Sequence, residues 1–331
     1  MSIATRLGHT LAQPSGEVGV GGGFPGGAAI LTGATSAGTG GAGVVLSEEA
    51  GPRTLGGALV WALRNGLTVF DLVVDRCGGE LARRASYFDL AIRVYELSGV
   101  DELAEAVADP LPAVLPAPDL PAELAATFAA ADVDVVVEHG VIRGEVLGLE
   151  VARVVSGDDG ELHIEVGVGR FDREASAMVN EARTALDTLE RAAGLIRASR
   201  HRGGSATHPL YSMGRSRWLR RAVLEDPTLL GETVDATGLR PVEVTVDAPN
   251  LRDTWPAAAV GTGADGTTVV VVATAGLDLD VFPIAADTRA LHAPDARLVV
   301  IADQALPAAL LAVNDALLAP AEVVVAGPGW S

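Results

Sequence analysis

The sequence predicts an α/β protein in which two Rossmann-like β-α-β-α-β units flank a mixed α/β middle unit. The length of 331 residues exceeds that of one typical domain, so two or three domains are expected. Continuous apolar runs alternate with helical patterns towards both ends of the chain, which is typical of parallel sheets covered on both faces. A stretch with five prolines follows the first unit, as expected of a linker.

The chain is predicted to contain several successive segments. Residues 1–41 are rich in Gly, Ala, Ser and Thr, which bury little apolar area, so we expect weak order there. The tract Gly38–Gly43 has the spacing G-x-G-x-x-G, but it precedes a strand, whereas a dinucleotide-binding turn follows one. The predicted segments are a Gly-rich N-terminal segment (1–42), an α/β unit (43–108), a Pro-rich linker (109–121), a middle α/β unit with an arginine-rich part (122–226) and a C-terminal α/β unit (227–331).

The two outer units have the same predicted order of elements. We expect each to form a parallel sheet with right-handed crossovers. The pattern leaves open whether the two units share one sheet. The predicted elements are a strand at 44–46, a helix at 54–65, a strand at 67–75, a helix at 79–89 and a strand at 92–97 in the first unit, and a strand at 268–274, a helix at 284–292, a strand at 297–301, a helix at 307–318 and a strand at 322–326 in the last.

Composition excludes several classes of chemistry. All 24 basic side chains are arginines, so phosphate-binding loops and Schiff-base mechanisms that need lysine are excluded. Cys77 is the single cysteine, which excludes an internal disulfide and a cysteine-based zinc site. No apolar run approaches the roughly 18–20 residues of a membrane-spanning helix, and a secretory signal pattern is lacking. We therefore expect a soluble, cytoplasmic protein without a membrane partner.

The basic residues are concentrated in one short stretch. The net charge is −19, yet residues 191–224 contain eight arginines and no acid, so this stretch is +8 and the remainder −27. Tyr211 and Trp218 lie among the arginines, a mixture that suits phosphate contacts and base stacking. Alternatively, the arginines pair with acids of the same chain or of an oligomeric partner. The predicted nucleic-acid-binding residues are Arg200, Arg202, Arg215, Arg217, Arg220 and Arg221.

The middle unit contains the most specific pattern of acidic residues. Its predicted elements are a helix at 122–131, strands at 133–138, 142–155 and 161–168, a hairpin turn at 157–160 and a long helix from 172. Glu150 lies among apolar residues, where an ionised carboxylate is costly unless it is paired or bound to metal. With Val155 opposite Leu162, Glu150 would lie near Gly167 and within diagonal reach of Glu165.

The order of elements around these acids resembles the core of restriction-endonuclease-like PD-(D/E)xK nucleases. In that family a helix acid, a strand acid and the acid of an E-x-K element coordinate a divalent metal. The resemblance, which covers only about residues 121–195, implies that Glu123, Glu150 and Glu165 bind Mg²⁺ or Mn²⁺. It also implies that Glu150 and Glu165 are catalytic and that either Arg170 or Arg173 neutralises a scissile phosphate, with Arg173 counted among the catalytic residues. Gly167 occupies the lysine position, and a guanidinium is a poor substitute for lysine because it stays protonated.

The chain as a whole resembles functionally unassigned actinobacterial proteins, a resemblance that implies no activity. The sequence leaves two functions open and does not decide whether the chain is an enzyme. The first is a metal-dependent protein that processes or binds nucleic acid or another anionic ligand, including a degenerate nuclease. The second is a non-catalytic α/β ligand-binding or assembly module. In that module, loops after the strands, around Asp75 and Asp278, hold a small ligand, and the arginines serve an interface, as in a homo-oligomer.

Overall fold

The computed structural model shows a mixed α/β protein with three separate open sheets of six, four and five strands. It describes residues 17–21, 24, 27–32, 41–47, 51–97, 102–169, 184–201, 204–205, 207–231, 234, 236–247, 253–327 and 329–330. Within these ranges, no helix combines the length and the apolar character needed to cross a membrane.

The N-terminal part of the chain forms the six-stranded sheet, with its strands in chain order. Strands β3, β4 and β5 are parallel and are connected by helices, so the parallel β-α-β-α-β order predicted here is confirmed. The remaining strands pair antiparallel. The elements are β1 (Glu17–Gly21), β2 (Ala28–Thr32), β3 (Gly41–Ser47), α1 (Leu55–Arg64), β4 (Leu67–Val74), α2 (Gly78–Ala85), β5 (Ala91–Leu97) and β6 (Leu103–Glu105).

The prediction of weak order throughout residues 1–41 is wrong for two segments. β1 and β2 form a hairpin, and β2 pairs with β3 from Ala28–Val45 to Leu31–Ala42. Without β2, β3 would be an edge strand with unpaired backbone N–H and C=O groups. A strand of mostly small residues can pair with these groups, because the hydrogen bonds between strands are formed by the backbone. The Gly-rich tract leads directly into β3, whereas its residues 38–40 lie outside the described ranges.

The middle of the chain forms a four-stranded antiparallel sheet in the order β10-β9-β8-β7. The helix α4 is capped by Thr184, whose hydroxyl accepts a hydrogen bond from the backbone N–H of Asp187 at 3.1 Å. The predicted start of this helix at residue 172 lies outside the described ranges. The elements are α3 (Ala122–Ala130), β7 (Asp134–Glu138), β8 (Val141–Val146), β9 (Leu149–Ser156), β10 (Leu162–Val166), α4 (Ala185–Ser199), α5 (Pro209–Ser212) and α6 (Arg215–Glu225).

The single strand predicted at 142–155 is wrong, because a tight turn at Leu147 and Gly148 divides it into β8 and β9. Both turn residues have positive φ, 49° and 72°. Positive φ is unfavourable for leucine, so the sequence carries only the glycine as a turn signal. Because of this turn, the predicted single strand is a hairpin of two strands, and Glu145 of β8 lies opposite Glu150 of β9.

The C-terminal part of the chain forms the five-stranded sheet, in the order β11-β12-β13-β14-β15. Strands β13, β14 and β15 are parallel, so the second parallel β-α-β-α-β unit is also confirmed, in a sheet separate from the first. The elements are β11 (Ala236–Val242), β12 (Ala257–Gly263), β13 (Thr268–Thr274), α7 (Val281–His292), β14 (Arg297–Ala302), α8 (Ala308–Asp315) and β15 (Glu322–Val325).

The chain divides into two compact units, each assembled from separated stretches. The first unit comprises residues 1–111, 279–287 and 306–321, and the second comprises 112–278, 288–305 and 322–331. In the first unit, α8 packs against α1. The buried Asp287 carboxylate of this unit accepts hydrogen bonds from Arg83, Arg84 and the Tyr87 hydroxyl at 2.9–3.1 Å. Burial and this carboxylate raise the pKa of Tyr87.

In the second unit, helix α6 lies between the four-stranded and the five-stranded sheets. Leu219 and Val223 of α6 pack into an apolar core with Val269, Val271 and other buried residues of β13 and β14. The opposite face of α6 carries arginines that bind carboxylates of β7 and β8. The helix therefore has no broad solvent-exposed face of the usual amphipathic kind, because one side is apolar and the other is paired with buried acids.

The Gly148→Ala substitution tests the packing of the β8–β9 turn against α6. A Cβ atom at Gly148 would lie 2.3 Å from the backbone of Arg217 and Trp218, and φ there is +72°. Gly160 is the matched control, because its φ is +83° but no atom lies within 4 Å of the added Cβ. Gly160→Ala should cost about 1–2 kcal/mol for the left-handed backbone alone. Gly148→Ala should cost clearly more in chemical denaturation, and equal losses would contradict the packing.

Candidate functional site

A buried cluster of arginines and glutamates lies between α6 and the four-stranded sheet. Arg217, Arg220 and Arg221 follow each other at helical spacing, so they share one face of α6. Strands β7, β8 and β9 supply the acids Glu138, Glu145 and Glu150, and β8 adds Arg143. All three glutamates, Arg143 and Arg220 are at most 4% exposed. Charges buried to this degree require direct partners, because the lost hydration costs several kcal/mol per ion.

Glu138 is the centre of the cluster, where three guanidinium groups meet. Its Oε2 accepts hydrogen bonds from Arg143 Nη1 at 2.8 Å and from Arg217 Nη2 at 2.6 Å. Its Oε1 accepts a hydrogen bond from Arg220 Nη1. Both carboxylate oxygens are therefore used, and one acid holds the β7–β8 hairpin and α6 together.

The other two glutamates extend the cluster on either side of Glu138. Glu145 Oε2 accepts a hydrogen bond from Arg220 Nη2 at 3.1 Å, and its Oε1 lies 3.4 Å from Arg217 Nη1. Glu150 accepts hydrogen bonds from Arg153, and its Oε2 lies 3.5 Å from Arg143 Nε. Each of the three glutamates therefore has an arginine nitrogen within 3.5 Å of its carboxylate, so its negative charge is compensated inside the cluster.

A bulge in β9 brings Glu150 and Arg153 into the same cluster. Residues three apart point to opposite faces of a regular strand. Here β9 carries one extra residue, Val151, between the pairs Gly144–Ala152 and Glu145–Glu150. The bulge places Glu150 opposite Glu145, beside the arginines that neutralise both.

The charges of the cluster strongly shift the titration of its central residues. Burial alone would raise the pKa of Glu138, but the charges of Arg217, Arg220 and Arg143 outweigh burial and hold the pKa at about 2. Burial would lower the pKa of Arg217, but Glu138 and Glu145 raise it above its ordinary value. Glu138 and Arg217 consequently stay ionised at neutral pH.

The two remaining described arginines of the predicted nucleic-acid-binding set also have partners in the chain. Arg200 is 1% exposed and donates hydrogen bonds to the carbonyl oxygens of Leu210 and Met213 at 3.2 and 2.7 Å. Burial, and then the charge of Arg215, lower the pKa of Arg200 to about 10. Arg215 lies 3.6 Å from the Asp303 carboxylate. Arg202 lies outside the described ranges.

The aromatic residues that were predicted to stack on bases are covered by arginines instead. The Arg200 guanidinium lies 4.6 Å from the centre of the Trp218 ring, and Arg215 lies 5.1 Å from the centre of the Tyr211 ring. Tyr211 and Trp218 also contact each other edge to face, with ring centres 5.3 Å apart. These contacts are cation–π and aromatic packing interactions within the second unit.

The predicted metal ligands occupy different surroundings. Glu123 is exposed in the first turn of α3, Glu150 is buried in the cluster, and Glu165 is partly buried on β10. The strand register puts Arg153 directly opposite Glu165, and the same Arg153 donates hydrogen bonds to Glu150. No metal-holding group of three or more His, Cys, Asp or Glu side chains is found among the described residues. Arg173 lies outside the described ranges.

The predicted register of the β9–β10 hairpin is wrong by one residue. Leu162 pairs with Ser156 rather than with Val155. The turn is closed by a hydrogen bond from the Gly157 N–H to the Glu161 carbonyl oxygen at 2.8 Å, and Gly160 adopts a left-handed conformation. The loop therefore has three residues, a length that sequence patterns do not separate from the four-residue alternative.

The two aspartates that were predicted to hold a small ligand in the loops after the strands differ in exposure. Asp75 is exposed after β4, whereas Asp278 is 1% exposed. The Asp303 carboxylate accepts a hydrogen bond from the Gly276 N–H at 2.9 Å, which ties together the chain segments that follow β13 and β14.

Comparisons with protein-family models, with curated proteins and with solved structures gave no match. The function is therefore argued from the geometry of the buried cluster and its surroundings.

Sequence reasoning missed Glu138, Arg143 and Glu145. The partners of Glu138 and Glu145 on α6 lie 75 to 82 positions away, so no local spacing connects them. The available signal was the +8 stretch in an acidic chain, together with the arginine spacing of i, i+3 and i+4 on one helix. That spacing is as compatible with internal acids as with phosphates.

Replacing Glu138 by Gln tests the cluster by leaving buried guanidinium groups without their central carboxylate. The loss in unfolding free energy should be about 3–5 kcal/mol. Glu225→Gln is the matched control, because Glu225 is the last residue of α6 and pairs with Arg221 one turn earlier in the same helix, but its side chain is 58% exposed. Such exposed helix pairs contribute about 0.3–0.5 kcal/mol. Denaturant titrations of both variants measure the two losses. Similar small losses would show that Glu138 is not the centre of the cluster.

The pKa of Glu138 predicts acid sensitivity. The folded-state pKa is about 2, against 4.5 for the unperturbed group, so protonation favours the unfolded chain. The stabilisation, roughly 3 kcal/mol, is fully present above pH 4.5 and is lost as the pH falls towards 2. Unfolding free energies measured from pH 6 to pH 2 should fall more steeply for the wild type than for Glu138→Gln. Parallel profiles would contradict the assignment.

Proposed function

We propose that this protein is a non-catalytic α/β binding or assembly module and that the arginine-rich helix α6 is its internal connector. The observation that carries the proposal is the pairing of all four α6 arginines with carboxylates of the same chain, from Arg215 with Asp303 to Arg221 with Asp134 and Glu225. In this proposal the two parallel β-α-β-α-β units are Rossmann-like, and they support the surfaces that bind a ligand or another protein.

The contacts of the arginines support this function over phosphate binding. A phosphate-binding arginine needs donors that reach solvent. The Nη1 and Nη2 groups of Arg220 donate to Glu138 and Glu145, and Arg220 is 1% exposed. Releasing them for a nucleic acid would leave two buried carboxylates without partners, which costs more than a surface phosphate contact returns.

The surroundings of the strand acids support it over metal-dependent processing. A divalent ion shared by Glu150 and Glu165 would have to displace Arg153, which binds one of these acids and faces the other. The nuclease-like hypothesis, with Mg²⁺ or Mn²⁺ bound by Glu123, Glu150 and Glu165, therefore requires a rearrangement of β9 that the module hypothesis does not.

The two hypotheses differ in their response to metal ions. Under our proposal, Mg²⁺ and Mn²⁺ leave the melting temperature where NaCl of equal ionic strength leaves it. A bound metal at about one hundred times its dissociation constant would instead add about 2.7 kcal/mol of stability. The measurement is thermal unfolding of the wild type, Glu165→Gln and the control Glu161→Gln, which changes an exposed acid just before the same strand. A metal-induced shift that is lost only in Glu165→Gln would establish the nuclease-like hypothesis.

The two hypotheses also differ in their response to duplex DNA. A phosphate-binding arginine surface gives an affinity whose logarithm falls linearly with log salt, with a slope of about −0.9 for each contact. Under our proposal the wild-type protein shows no such binding at low salt, because its arginines are occupied. Fluorescence anisotropy with a labelled duplex measures this directly. Tight binding with a steep salt slope would contradict the module proposal.

A further inference from the structure

A proline-rich segment, residues 112–121, lies at the start of the second unit and leads into α3. It belongs to no helix or strand, and its residues 112–116, 118 and 119 are exposed. Residues 112–120 form no hydrogen bond with the described part of the chain. The carbonyl oxygens and the remaining N–H groups of the segment are therefore available to a partner.

The prolines favour the polyproline II conformation in this segment. Proline fixes φ at about −65°, and the residue before a proline is confined to extended conformations. Pro112, Pro116, Pro118 and Pro121, together with the residues that precede them, make up most of the segment. Pro121 has a φ of −57° and a ψ of 141°, which are values of this conformation. A segment that is already stiff loses little conformational entropy when it binds.

The segment has one edge on the core and another in solvent. A polyproline II helix has three residues per turn, so residues three apart lie on one edge. Ala117 and Leu120 pack against the apolar core of the four-stranded sheet. Leu115 and Pro118, also three apart, are exposed, and Leu115 is 55% exposed. Apolar side chains and prolines along such an edge are what aromatic-lined grooves bind.

The charges around the segment are acidic. Residues 94–142 contain neither arginine nor lysine. Asp119 is exposed within the segment, and Glu123 is exposed in the first turn of α3. Basic residues beside a partner's groove would be attracted to these carboxylates, whereas acidic residues there would be repelled.

We infer that residues 112–119 bind a groove of another protein that is lined by aromatic side chains and flanked by basic residues, an inference that rests on the module function proposed above. Leu115 and Pro118 contact the aromatic rings of the groove, and Asp119 pairs with a basic residue at its rim. Ala117 and Leu120 stay on the core of the second unit, so the segment binds without leaving its place in the fold.

The probes are purified SH3, WW and EVH1 domains, chosen so that some have basic and others acidic residues at the rim of the groove. Two-dimensional NMR of each labelled domain, titrated with the full-length protein, should show shifts at the aromatic residues of the groove. Domains with basic rims should bind more tightly, and added NaCl should weaken their binding. Leu115→Ala should weaken binding about tenfold, and it retains the Cβ atom that lies beside Gly140.

Val114→Ala is the matched control, because Val114 is 53% exposed but lies three residues from Ala117, on the other edge. It should leave the affinity unchanged. Equal losses in the two variants would indicate unspecific apolar contact and would overturn the inference, as would tighter binding by acidic rims or no binding by any domain. If Leu115→Ala fails to fold, the ranking of the domains on the wild type decides. The metal and DNA measurements are independent, so the module function stands or fails on them alone.

Discussion

The burial of the Glu138 carboxylate is the constraint on which the second unit depends. A carboxylate at 4% exposure is tolerable only with cationic partners, and here three guanidinium groups supply them from two elements. Because two of the three come from α6, the position of this helix over β7 and β8 is determined by electrostatics. Its apolar face then meets β13 and β14, so the pairing at Glu138 also brings the two sheets of the unit onto one helix.

The charge asymmetry of the chain follows from this arrangement. An acidic protein with an arginine-rich stretch suggests an external anion, because composition reports charge without position. In the structure the stretch is distributed over α4, α5 and α6. Arg191 is exposed, whereas the other described arginines of the stretch contact acids, carbonyl oxygens or aromatic rings of the same chain. Arginine suits this use, because its planar group binds several carboxylates at once and keeps its charge when buried. Lysine, which loses its proton more readily when desolvated, is absent from the chain.

The sequence predicted the elements whose signals are local. The apolar runs at 67–75 and 268–274 predicted one strand of each parallel unit almost to the residue, because a strand buried on both faces needs continuous apolar side chains. The ends of several helices were predicted less accurately, as for the helix predicted at 79–89 that ends at Ala85. The middle sheet was predicted less well. Leu147 at positive φ hides a turn, and the bulge at Val151 changes which residues share a face. Each error moved acids relative to one another, so the prediction that Glu150 and Glu165 lie within diagonal reach missed Arg153, which is the strand partner of Glu165 and donates hydrogen bonds to Glu150.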